Sequence, residues 1–356
     1  MRKIKVILYG VGVVGSMIAR AMIEKEGLDI VGAIDTDKDK VGKDLGDILR
    51  LKRKLGVYVS EDINHALSKE TADLAIHATS SYLEIIYPQI TSIVQHNLNV
   101  LSTCEELSYP NILQPILARK LDTLAKKHKV SVLGTGINPG FLMDTLIITL
   151  TAPCQKIDEI KATRIIDAAS RRLPFQKKIG AGLTLAEFQK RIETKQITGH
   201  IGLEQSIAMI ASALAWKLDK IVAEPVDPIT ARESVCSQDL KVEAGNVAGL
   251  RQKANGIIEG RPVILLDFKA YIGAKKECDT ISIKGVPNIT QTIRPCVHGD
   301  LGTVAIIINS IPKVINAPPG LFSMKDLSVP SAATEDIRKY IKRNSRRSTH
   351  KCIMES

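Results

Sequence analysis

Apolar residues along the first 150 positions form short continuous runs that are separated by helical patterns. The runs lie at residues 5–9, 29–34, 57–60, 73–78, 99–103 and 130–133, and the clearest helical spacing lies at 17–23, 83–96 and 112–128. Strands that are buried on both faces of a parallel sheet read as continuous apolar runs. The pattern therefore predicts an α/β domain at residues 1–150, with a doubly wound parallel sheet and crossover helices.

The pattern changes after residue 151. A strand is predicted at 157–168, helices are predicted at 184–194 and 201–216, and between 221 and 293 several strand-like runs are separated by Gly, Pro and Asn. Frequent turns of this kind favour antiparallel pairing, so we predict a second α/β domain at 151–300 with a mainly antiparallel open sheet. The stretch 303–315 reads as a helix that returns to the first domain, within a segment at 301–330.

Composition supports a folded protein of two domains. The chain has 356 residues, of which 44 % are hydrophobic and 24 % charged, and this argues against disorder and coiled coil. No apolar run reaches the roughly 18 residues that a membrane span needs, and the N-terminus is not typical of a signal peptide. Six cysteines lie far apart without metal-ligand spacing, so we predict no metal site and a reducing, cytoplasmic location.

The net charge of +11 raises the question of a nucleic-acid partner. Residues 335–356 carry seven basic and three acidic side chains, so over a third of the net charge lies in the last 22 residues. We interpret 331–356 as a basic, mobile tail, either a solvated extension or an arm for nucleic acid. Because only 4 % of the residues are aromatic, stacking on bases is not expected, and this argues against a nucleic-acid partner.

A glycine pattern, G-V-G-V-V-G at 10–15, lies between the first predicted strand and the first helix. In this position the first glycine permits a tight turn, the second lets backbone approach a pyrophosphate, and the third lets helix and sheet pack closely. The helix N-terminus offers free N–H groups to the phosphates. A Rossmann dinucleotide site is predicted, and an ordinary glycine turn is the alternative. Its expected residues are Gly10, Gly12, Val13, Val14 and Gly15.

Other residues at the same sheet edge indicate which dinucleotide is bound and what lines its groove. Asp35 ends the second strand, twenty residues after Gly15, where a carboxylate accepts hydrogen bonds from ribose hydroxyls and favours NAD. Lys38 follows closely and is able to tolerate the 2′-phosphate of NADP, so we expect NAD or NADP with NAD preferred. Ala78, Thr79 and Ser80 end the fourth strand and are predicted to line the cofactor groove, with a strand-end turn as the alternative.

Two further segments reach this edge with candidate chemistry. Glu105 and Glu106 follow the fifth strand, where an apolar setting raises the pKa of a carboxyl group and makes it a usable general base. Their alternative role is that of acids at a helix N-terminus. Asn138 lies in the loop 134–144 and offers a neutral donor and acceptor near the cofactor, although N-P-G is also good turn chemistry.

Several motifs together resemble the 2,4-diaminopentanoate dehydrogenase family, which is related to native amine dehydrogenases and more distantly to dihydrodipicolinate reductase. They are the glycine pattern, S-T-C-E-E-L-S-Y-P at 102–110, G-T-G-I-N-P-G-F-L-M-D at 134–144, H-G-D at 298–300, N-S-I-P at 309–312 and A-P-P-G-L at 317–321. The resemblance covers residues 1–330, and the two loop segments are more specific than the glycine pattern.

The resemblance implies an oxidoreductase acting on a CH–NH2 group. The expected reaction is NAD(P)-dependent oxidative deamination of 2,4-diaminopentanoate to 2-amino-4-oxopentanoate and ammonia, in ornithine degradation. The expected partner is a small diamine, and the second domain is expected to form the contact of a homodimer. Glu105 is carried over as the catalytic glutamate, with Glu106 in reserve because the two are adjacent.

Weaker candidates complete the predicted pocket. Tyr109 and Asn138 are expected to position the substrate or the nicotinamide carboxamide, and His298 to reach the pocket from the second domain unless it is structural. Four charged residues cluster near the end of the strand at 157–168 or just after it, and their alternative role is a surface ion-pair network. In the pocket an arginine would clamp the substrate carboxylate and the aspartate would pair with its second ammonium. These four are Arg164, Asp167, Arg171 and Arg172.

Two rival functions stay open from the sequence. The segment 165–172 lacks the paired histidines of dihydrodipicolinate reductases, which argues against that substrate but leaves an amine dehydrogenase, an imine reductase or a reductase-like enzyme of other substrate. A regulator that senses NAD(P) and contacts nucleic acid through its tail is the non-enzymatic alternative.

Overall fold

The computed structural model describes residues 2–68 and 70–342. Their strands are β1 (Ile4–Tyr9), β2 (Leu28–Ile34), β3 (Val59–Ser60), β4 (Leu74–His77), β5 (Asn99–Ser102), β6 (Ser131–Gly134), β7 (Lys156–Asp167), β8 (Lys220–Ala223), β9 (Asp227–Thr230), β10 (Val235–Cys236), β11 (Lys241–Val242), β12 (Val247–Ile258), β13 (Arg261–Tyr271), β14 (Cys278–Val286), β15 (Ile289–Ile293) and β16 (Gly320–Phe322).

Helices connect and cover these strands. They are α1 (Val13–Glu24), α2 (Leu45–Ile48), α3 (Ile63–Ala66), α4 (Leu83–Gln95), α5 (Pro115–Lys127), α6 (Thr145–Thr151), α7 (Leu173–Lys178), α8 (Leu185–Glu193), α9 (Leu203–Ala213) and α10 (Gly299–Asn316). Three 3-10 turns lie at Glu106–Ser108, Ala168–Ser170 and Ile337–Tyr340.

The first sheet is parallel throughout, with the strand order β16-β6-β5-β4-β1-β2-β3. Val6, Ile7 and Leu8 of β1 are all fully buried, as expected for a strand that is covered on both faces. The predicted Rossmann fold is therefore confirmed, with most strand limits within two residues of the prediction. The sequence did not predict the edge strand β16, because three residues after a proline pair give no periodic signal.

The second sheet has the order β15-β14-β7-β13-β12-β8, and β9 also pairs with β12. Only the β7–β13 pair is parallel, so the mainly antiparallel second sheet is confirmed. Along β7, Ile160, Ala162 and Ile166 are buried on the face that packs into the second core, and α9 lies against β12 on the same core. Arg164 is also buried on this face.

The chain crosses between the two sheets at two places. The loop after β6 leads through α6 into the second sheet, and α10 brings the chain back to lie against α1, β5 and β6. The hydroxyl of Ser131 at the start of β6 donates to the carbonyl of Val314 in α10 at 2.6 Å. As a result, the start of α10 and the loop after β6 both lie where the two domains meet.

Residues 331–342 are anchored to the first domain by the buried side chains of Ala333 and Ile337, in contrast to the mobile tail expected from residue 331. Ile337 is fully buried, its N–H donates to the carbonyl of Glu26, and Asn316 donates to the carbonyl of Tyr340. The expected tail mixed these ordered residues with 343–356, which lie outside the described residues. In the described part of the chain, no helix is both long and apolar enough to cross a bilayer.

Candidate active site

A cavity of about 420 Å³ lies between the carboxyl edge of the first sheet and the inner face of the second sheet. The first domain, including the loop after β6, and α10 form one wall, and the second domain forms the other. The first wall consists of Val14, Ala78, Thr79, Ser80, Ser81, Thr103, Glu105, Gly136, Ile137, Asn138, Pro139, Gly299, Asp300 and Thr303. The second wall consists of Arg164, Ile166, Arg171, Arg172, Pro174, Phe175, Lys178, His200 and Phe268.

The glycine loop has the geometry that a dinucleotide requires. Gly10 has φ +99°, and a Cβ added to Gly15 would lie 1.9 Å from the carbonyl oxygen of Gly10. A Cβ at Gly12, by contrast, would meet nothing within 4 Å, so open space faces the backbone at this position. No side chain caps the N-terminus of α1, which leaves N–H groups free beside Val13 and Val14. These residues fit the pyrophosphate of a bound NAD or NADP.

Asp35 lies beside this loop, as the sequence predicts. Its Oδ2 accepts from the N–H of Val11 at 2.8 Å, and its Oδ1 accepts from the N–H of Asp37 at 2.9 Å. The lysine that approaches it is Lys40, at 3.3 Å, whereas Lys38 is exposed and forms no such contact. The sequence did not indicate Lys40 because it lies five residues after Asp35, and only the folding of the intervening loop brings the two side chains together.

The fourth strand delivers Ala78, Thr79 and Ser80 to the cavity wall. Behind them His77 is fully buried, and its Nδ1 and Nε2 contact the hydroxyl of Ser102 at 2.9 Å and Oε1 of Gln89 at 2.7 Å. Burial lowers the pKa of His77 to about 4, so this histidine is neutral at physiological pH. It supports the wall and does not line the cavity.

Glu105 is the acidic residue that the first sheet presents to the cavity. Burial among protein atoms raises the pKa of its carboxyl group above the usual value, while a hydrogen bond from Ser81 and the positive charge of Lys178 lower it. A carboxylate that gives up hydration in this way binds a proton more readily. Glu105 therefore has the position and the proton affinity of a general base.

Glu106 points elsewhere and serves the fold. Its Oε2 accepts from the N–H of Leu83 at 2.6 Å and from the side chain of Gln114 at 2.9 Å. Leu83 begins α4, so the carboxylate of Glu106 caps a helix N-terminus and interacts favourably with the helix dipole. Glu106 does not line the cavity, so it is not placed to act as the reserve catalytic residue.

Asn138 lines the cavity and is paired with a histidine that the sequence analysis missed. Its Nδ2 donates to Nε2 of His200 at 2.9 Å. His200 stacks on Phe268 with ring centroids 4.4 Å apart and an interplanar angle of 12°. Burial and the nearby charges of Lys178 and Arg164 lower the pKa of His200 to about 3. A neutral imidazole is thus available as the acceptor for Asn138.

The loop that carries Asn138 is held by a buried carboxylate. Asp144 accepts from the N–H of Gly140 at 2.7 Å, from the N–H of Thr145 at 2.6 Å and from the hydroxyl of Ser206 at 2.8 Å. Burial raises the pKa of Asp144, and these three donors oppose that shift. The contact with Ser206 ties the loop to α9 in the second domain.

Arg164 lies in the cavity wall but is already paired. Its side chain is 2 % exposed, its Nη1 donates to Asp279 at 2.5 Å and its Nη2 donates to the carbonyl of Val297 at 2.5 Å. The second oxygen of Asp279 accepts from the N–H of Val297 at 2.9 Å. This arrangement fastens the segment before α10 to the second sheet, so Arg164 acts as a structural ion pair.

Arg171 and Arg172 share one acidic partner. Asp300, in the first turn of α10, lies 3.0 Å from Nη2 of Arg171 and 3.4 Å from Nε of Arg172. Arg171 also stacks on Phe175, with its guanidinium carbon 4.4 Å from the ring centroid. Both arginines line the cavity, and the sequence did not identify Asp300 as their partner.

Three predicted pocket residues have structural positions outside the cavity lining. Asp167 accepts from the N–H groups of Ala169 and Gly273, at 3.0 and 3.1 Å, and so closes the turn after β7. Tyr109 is buried in the core of the first domain. His298 caps α10 by accepting from the N–H of Leu301 at 3.4 Å.

Lys178, His200, Phe268 and Asp300 are the main lining residues that sequence reasoning missed. Lys178 ends α7, a helix of six residues that was not predicted, and His200 lies in an irregular segment between α8 and α9. Asp300 belongs to the H-G-D motif, so the motif does indicate this part of the cavity, but only its histidine was predicted to reach the pocket.

Comparison with known proteins gives the family. Residues 141–343 match the family model described as the 2,4-diaminopentanoate dehydrogenase C-terminal domain, and residues 4–103 match dihydrodipicolinate reductase, N-terminus. The chain is 36 % identical over 352 residues to 2,4-diaminopentanoate dehydrogenase of Acetoanaerobium sticklandii, covering 96 % of this chain and 98 % of the relative. This chain belongs to the 2,4-diaminopentanoate dehydrogenase family. The resemblance noted from the loop motifs is thereby confirmed.

Two amine dehydrogenases are also similar to the chain. That of Streptomyces virginiae is 24 % identical over 353 residues, covering 91 % of this chain and 96 % of the relative. The solved structure of amine dehydrogenase from Mycobacterium smegmatis has a TM-score of 0.81 and 27 % identity, covering 93 % of this chain and 98 % of that chain. Together with the glycine loop, family membership confirms an NAD(P)-dependent oxidoreductase and favours an enzyme over a regulator.

Proposed function

We propose that the protein catalyses the oxidative deamination of 2,4-diaminopentanoate at its 4-amino group, giving 2-amino-4-oxopentanoate and ammonia within ornithine degradation. The observation that carries the proposal is Glu105, a carboxylate with raised pKa that faces the cavity at the cofactor edge of the first sheet. Membership of the family supports the substrate.

The roles of the residues follow from the chemistry of an amine. An ammonium cannot lose hydride, so Glu105 first takes a proton from the substrate nitrogen. Held at the glycine loop 10–15 and Asp35, NAD or NADP would supply the hydride acceptor for the carbon that carries this nitrogen. Glu105 passes this first proton on to solvent, so that it is a carboxylate again beside the cationic iminium group and stabilises its charge. Water then attacks the iminium carbon while Glu105 takes its proton. Glu105 passes that proton to the nitrogen, so that ammonia leaves, and takes the proton of the new hydroxyl group as the ketone forms.

The charges of the cavity suit a substrate that also carries a carboxylate. Four cationic side chains line it, from Arg164, Arg171, Arg172 and Lys178. The acidic groups that line the cavity or pair with these cations are Glu105, Asp300 and Asp279, which leaves one positive charge in excess. An excess of positive charge in a partly dry cleft attracts an anionic group. A simple monoamine would leave this charge uncompensated.

The proposal is tested by following NADH or NADPH formation with a set of amines. We expect turnover with 2,4-diaminopentanoate and little with ornithine, meso-diaminopimelate or simple alkylamines. The Glu105→Gln variant should lose a factor of about 10² to 10⁴ in kcat, because general-base catalysis typically contributes that much. Glu106→Gln is the matched control and should keep most of its kcat. Turnover with diaminopimelate alone would overturn the substrate, and full activity of Glu105→Gln would overturn the mechanism.

A second candidate is an amine dehydrogenase, or an imine reductase, with another substrate. The similarity to the two amine dehydrogenases over nearly the whole chain favours it. In the same set of amines, preference for a monoamine without a carboxylate would support this candidate over the first.

We also propose a homodimer in a reducing, cytoplasmic compartment. The outer face of the second sheet carries half-buried Ile165 and Leu265 beside the Arg251–Asp267 pair, a mixture that suits contact with a second copy. The cysteines that the structure describes are free thiols, which suits reducing conditions. Light scattering should give the mass of a dimer for the wild-type protein. Leu265→Glu should lower the measured mass towards that of a monomer, whereas the exposed-site control Val329→Glu should leave it unchanged. A monomeric wild-type protein would contradict this assembly.

A further inference from the structure

The cations of the cavity differ in whether the fold already neutralises them. Arg164 is paired with Asp279, and Arg171 and Arg172 share Asp300. Lys178 also lines the cavity, but within residues 2–68 and 70–342 its ammonium has neither a hydrogen bond nor an ion pair. It is therefore the cation that an anionic ligand can reach without breaking an existing pair.

Lys178 lies close enough to the reacting end of the cavity to act on it electrostatically. Its charge lowers the pKa of Glu105 and also lowers that of His200. It makes no ion pair with Glu105, so the ammonium and the carboxylate face the same cavity as separate charges. Lys177, one residue earlier on α7, is also exposed and does not line the cavity.

We propose that Lys178 binds the carboxylate of the substrate and so decides which amine reaches Glu105. This inference rests on the proposed function and deepens it. A substrate with an ammonium and a carboxylate at opposite ends matches a cavity in which, among the described residues, Glu105 has no cationic partner and Lys178 has no acidic partner. Holding the carboxylate at Lys178 sets how far along the carbon chain Glu105 acts. A more distant amine is then selected over the one beside the carboxylate.

The competing anchor is Arg171, whose Nε is buried without a partner. However, Nη2 of Arg171 already lies 3.0 Å from Asp300, and its guanidinium stacks on Phe175. A carboxylate at Arg171 would have to compete with Asp300 for the same cation. Binding at Lys178 meets no such competition.

The test compares Lys178→Met, Lys178→Arg and the matched control Lys177→Met in the full-length enzyme. Kinetics are measured with 2,4-diaminopentanoate and with 2-aminopentane, which lacks the carboxylate and is scored as a substrate or as a competitive inhibitor. For Lys178→Met we expect KM for diaminopentanoate to rise about tenfold or more with kcat within about threefold. The KM or inhibition constant of 2-aminopentane should stay within about twofold of the wild-type value. Lys178→Arg should recover most of the loss, and Lys177→Met should match the wild type.

The pH profile gives a readout that a merely structural role would not move. Because the charge of Lys178 lowers the pKa of Glu105, Lys178→Met should shift the acidic limb of kcat/KM to higher pH. The proposal would be overturned if Lys178→Met lost kcat/KM equally with both amines, if it raised the Kd for NADH, or if it left the kinetics with diaminopentanoate unchanged. A wild-type enzyme without activity on diaminopentanoate would instead overturn the proposed function, so the two failures are distinguishable.

Discussion

Glu105 and Glu106 are neighbours in the chain, but their carboxylates have opposite surroundings. Glu105 faces a cavity where burial disfavours its charge, whereas Glu106 accepts two hydrogen bonds at the start of a helix. Residue type and spacing are the same for both, so only the direction of each side chain separates a candidate base from a helix cap. At the scale of single residues, environment therefore determines function.

This difference predicts opposite stability changes when each is replaced by glutamine. The folded-state pKa of Glu105 is raised, so its ionised form destabilises the fold above that pKa, and the penalty is absent below the usual carboxyl pKa. Glu105→Gln should therefore raise Tm at pH 8, and the gain should shrink as the pH falls towards 4. Glu106→Gln should lower Tm at pH 8 because it removes a favourable charge at a helix N-terminus. Differential scanning calorimetry across this range checks both, and equal shifts would contradict the assignment.

The glycines of the dinucleotide loop also differ at this scale. Gly12 has φ −76° and open space where a Cβ would project, whereas Gly15 has a carbonyl oxygen at 1.9 Å. Gly12→Ala should keep the wild-type Tm and raise the Kd for NADH at least about tenfold, because the methyl group occupies space meant for the phosphates. Gly15→Ala should lower Tm instead. Thermal melts and NADH fluorescence titration separate the two effects, and unchanged NADH affinity in Gly12→Ala would refute the assignment of this loop.

At the scale of elements, the loop 134–144 is held by a single buried carboxylate. Asp144 joins the loop to α6 by accepting from Gly140 and Thr145, and it joins both to α9 through Ser206. Since Asn138 belongs to this loop, the position of one cavity wall depends on a residue that does not line the cavity.

Replacing Asp144 by alanine should cost about 3 kcal/mol of unfolding free energy, because three donors would lose an acceptor, and the two backbone N–H groups would be buried without one. Urea denaturation measures this change. Asp158→Ala is the control, since Asp158 forms an exposed pair with Lys156 at 2.8 Å and should cost no more than about 0.5 kcal/mol. Equal costs for the two variants would show that the hydrogen bonds of Asp144 contribute little.

At the scale of the whole molecule, the last described segment stabilises the first domain. Residues 317–342 add the edge strand β16 and then pack Ala333 and Ile337 against the core formed with α1 and α10. Residues 331–342 are rich in polar and charged side chains, which is why the sequence predicted them as part of a tail.

Ile337→Ala should cost about 2 to 4 kcal/mol, the usual range for removing a large aliphatic side chain from a fully buried site. Val329→Ala, at a position that is 45 % exposed, should change the stability by less than about 0.5 kcal/mol. Urea denaturation compares the two. A small effect at Ile337 would mean that this segment is not part of the cooperative fold.

The sequence alone determined the six main strands of the first sheet, the Rossmann loop and the edge at which the chemistry lies. These depend on local signals: β1 is a continuous apolar run, the glycines must stand at fixed spacing, and parallel strands end at one edge. The resemblance to the family came from the same kind of contiguous segment, at 102–110 and 134–144.

Only the tertiary structure decided which charged groups are free. Arg164 and Asp279 are 115 residues apart, and Asp300 is 128 residues from Arg172, so no local pattern shows that these pairs neutralise each other. Lys178 and His200 reach the cavity from a short helix and an irregular segment that carry no periodic signal. Distances in the folded structure decide whether a charged side chain is paired within the protein or is available to a ligand. Spacing along the chain does not give these distances.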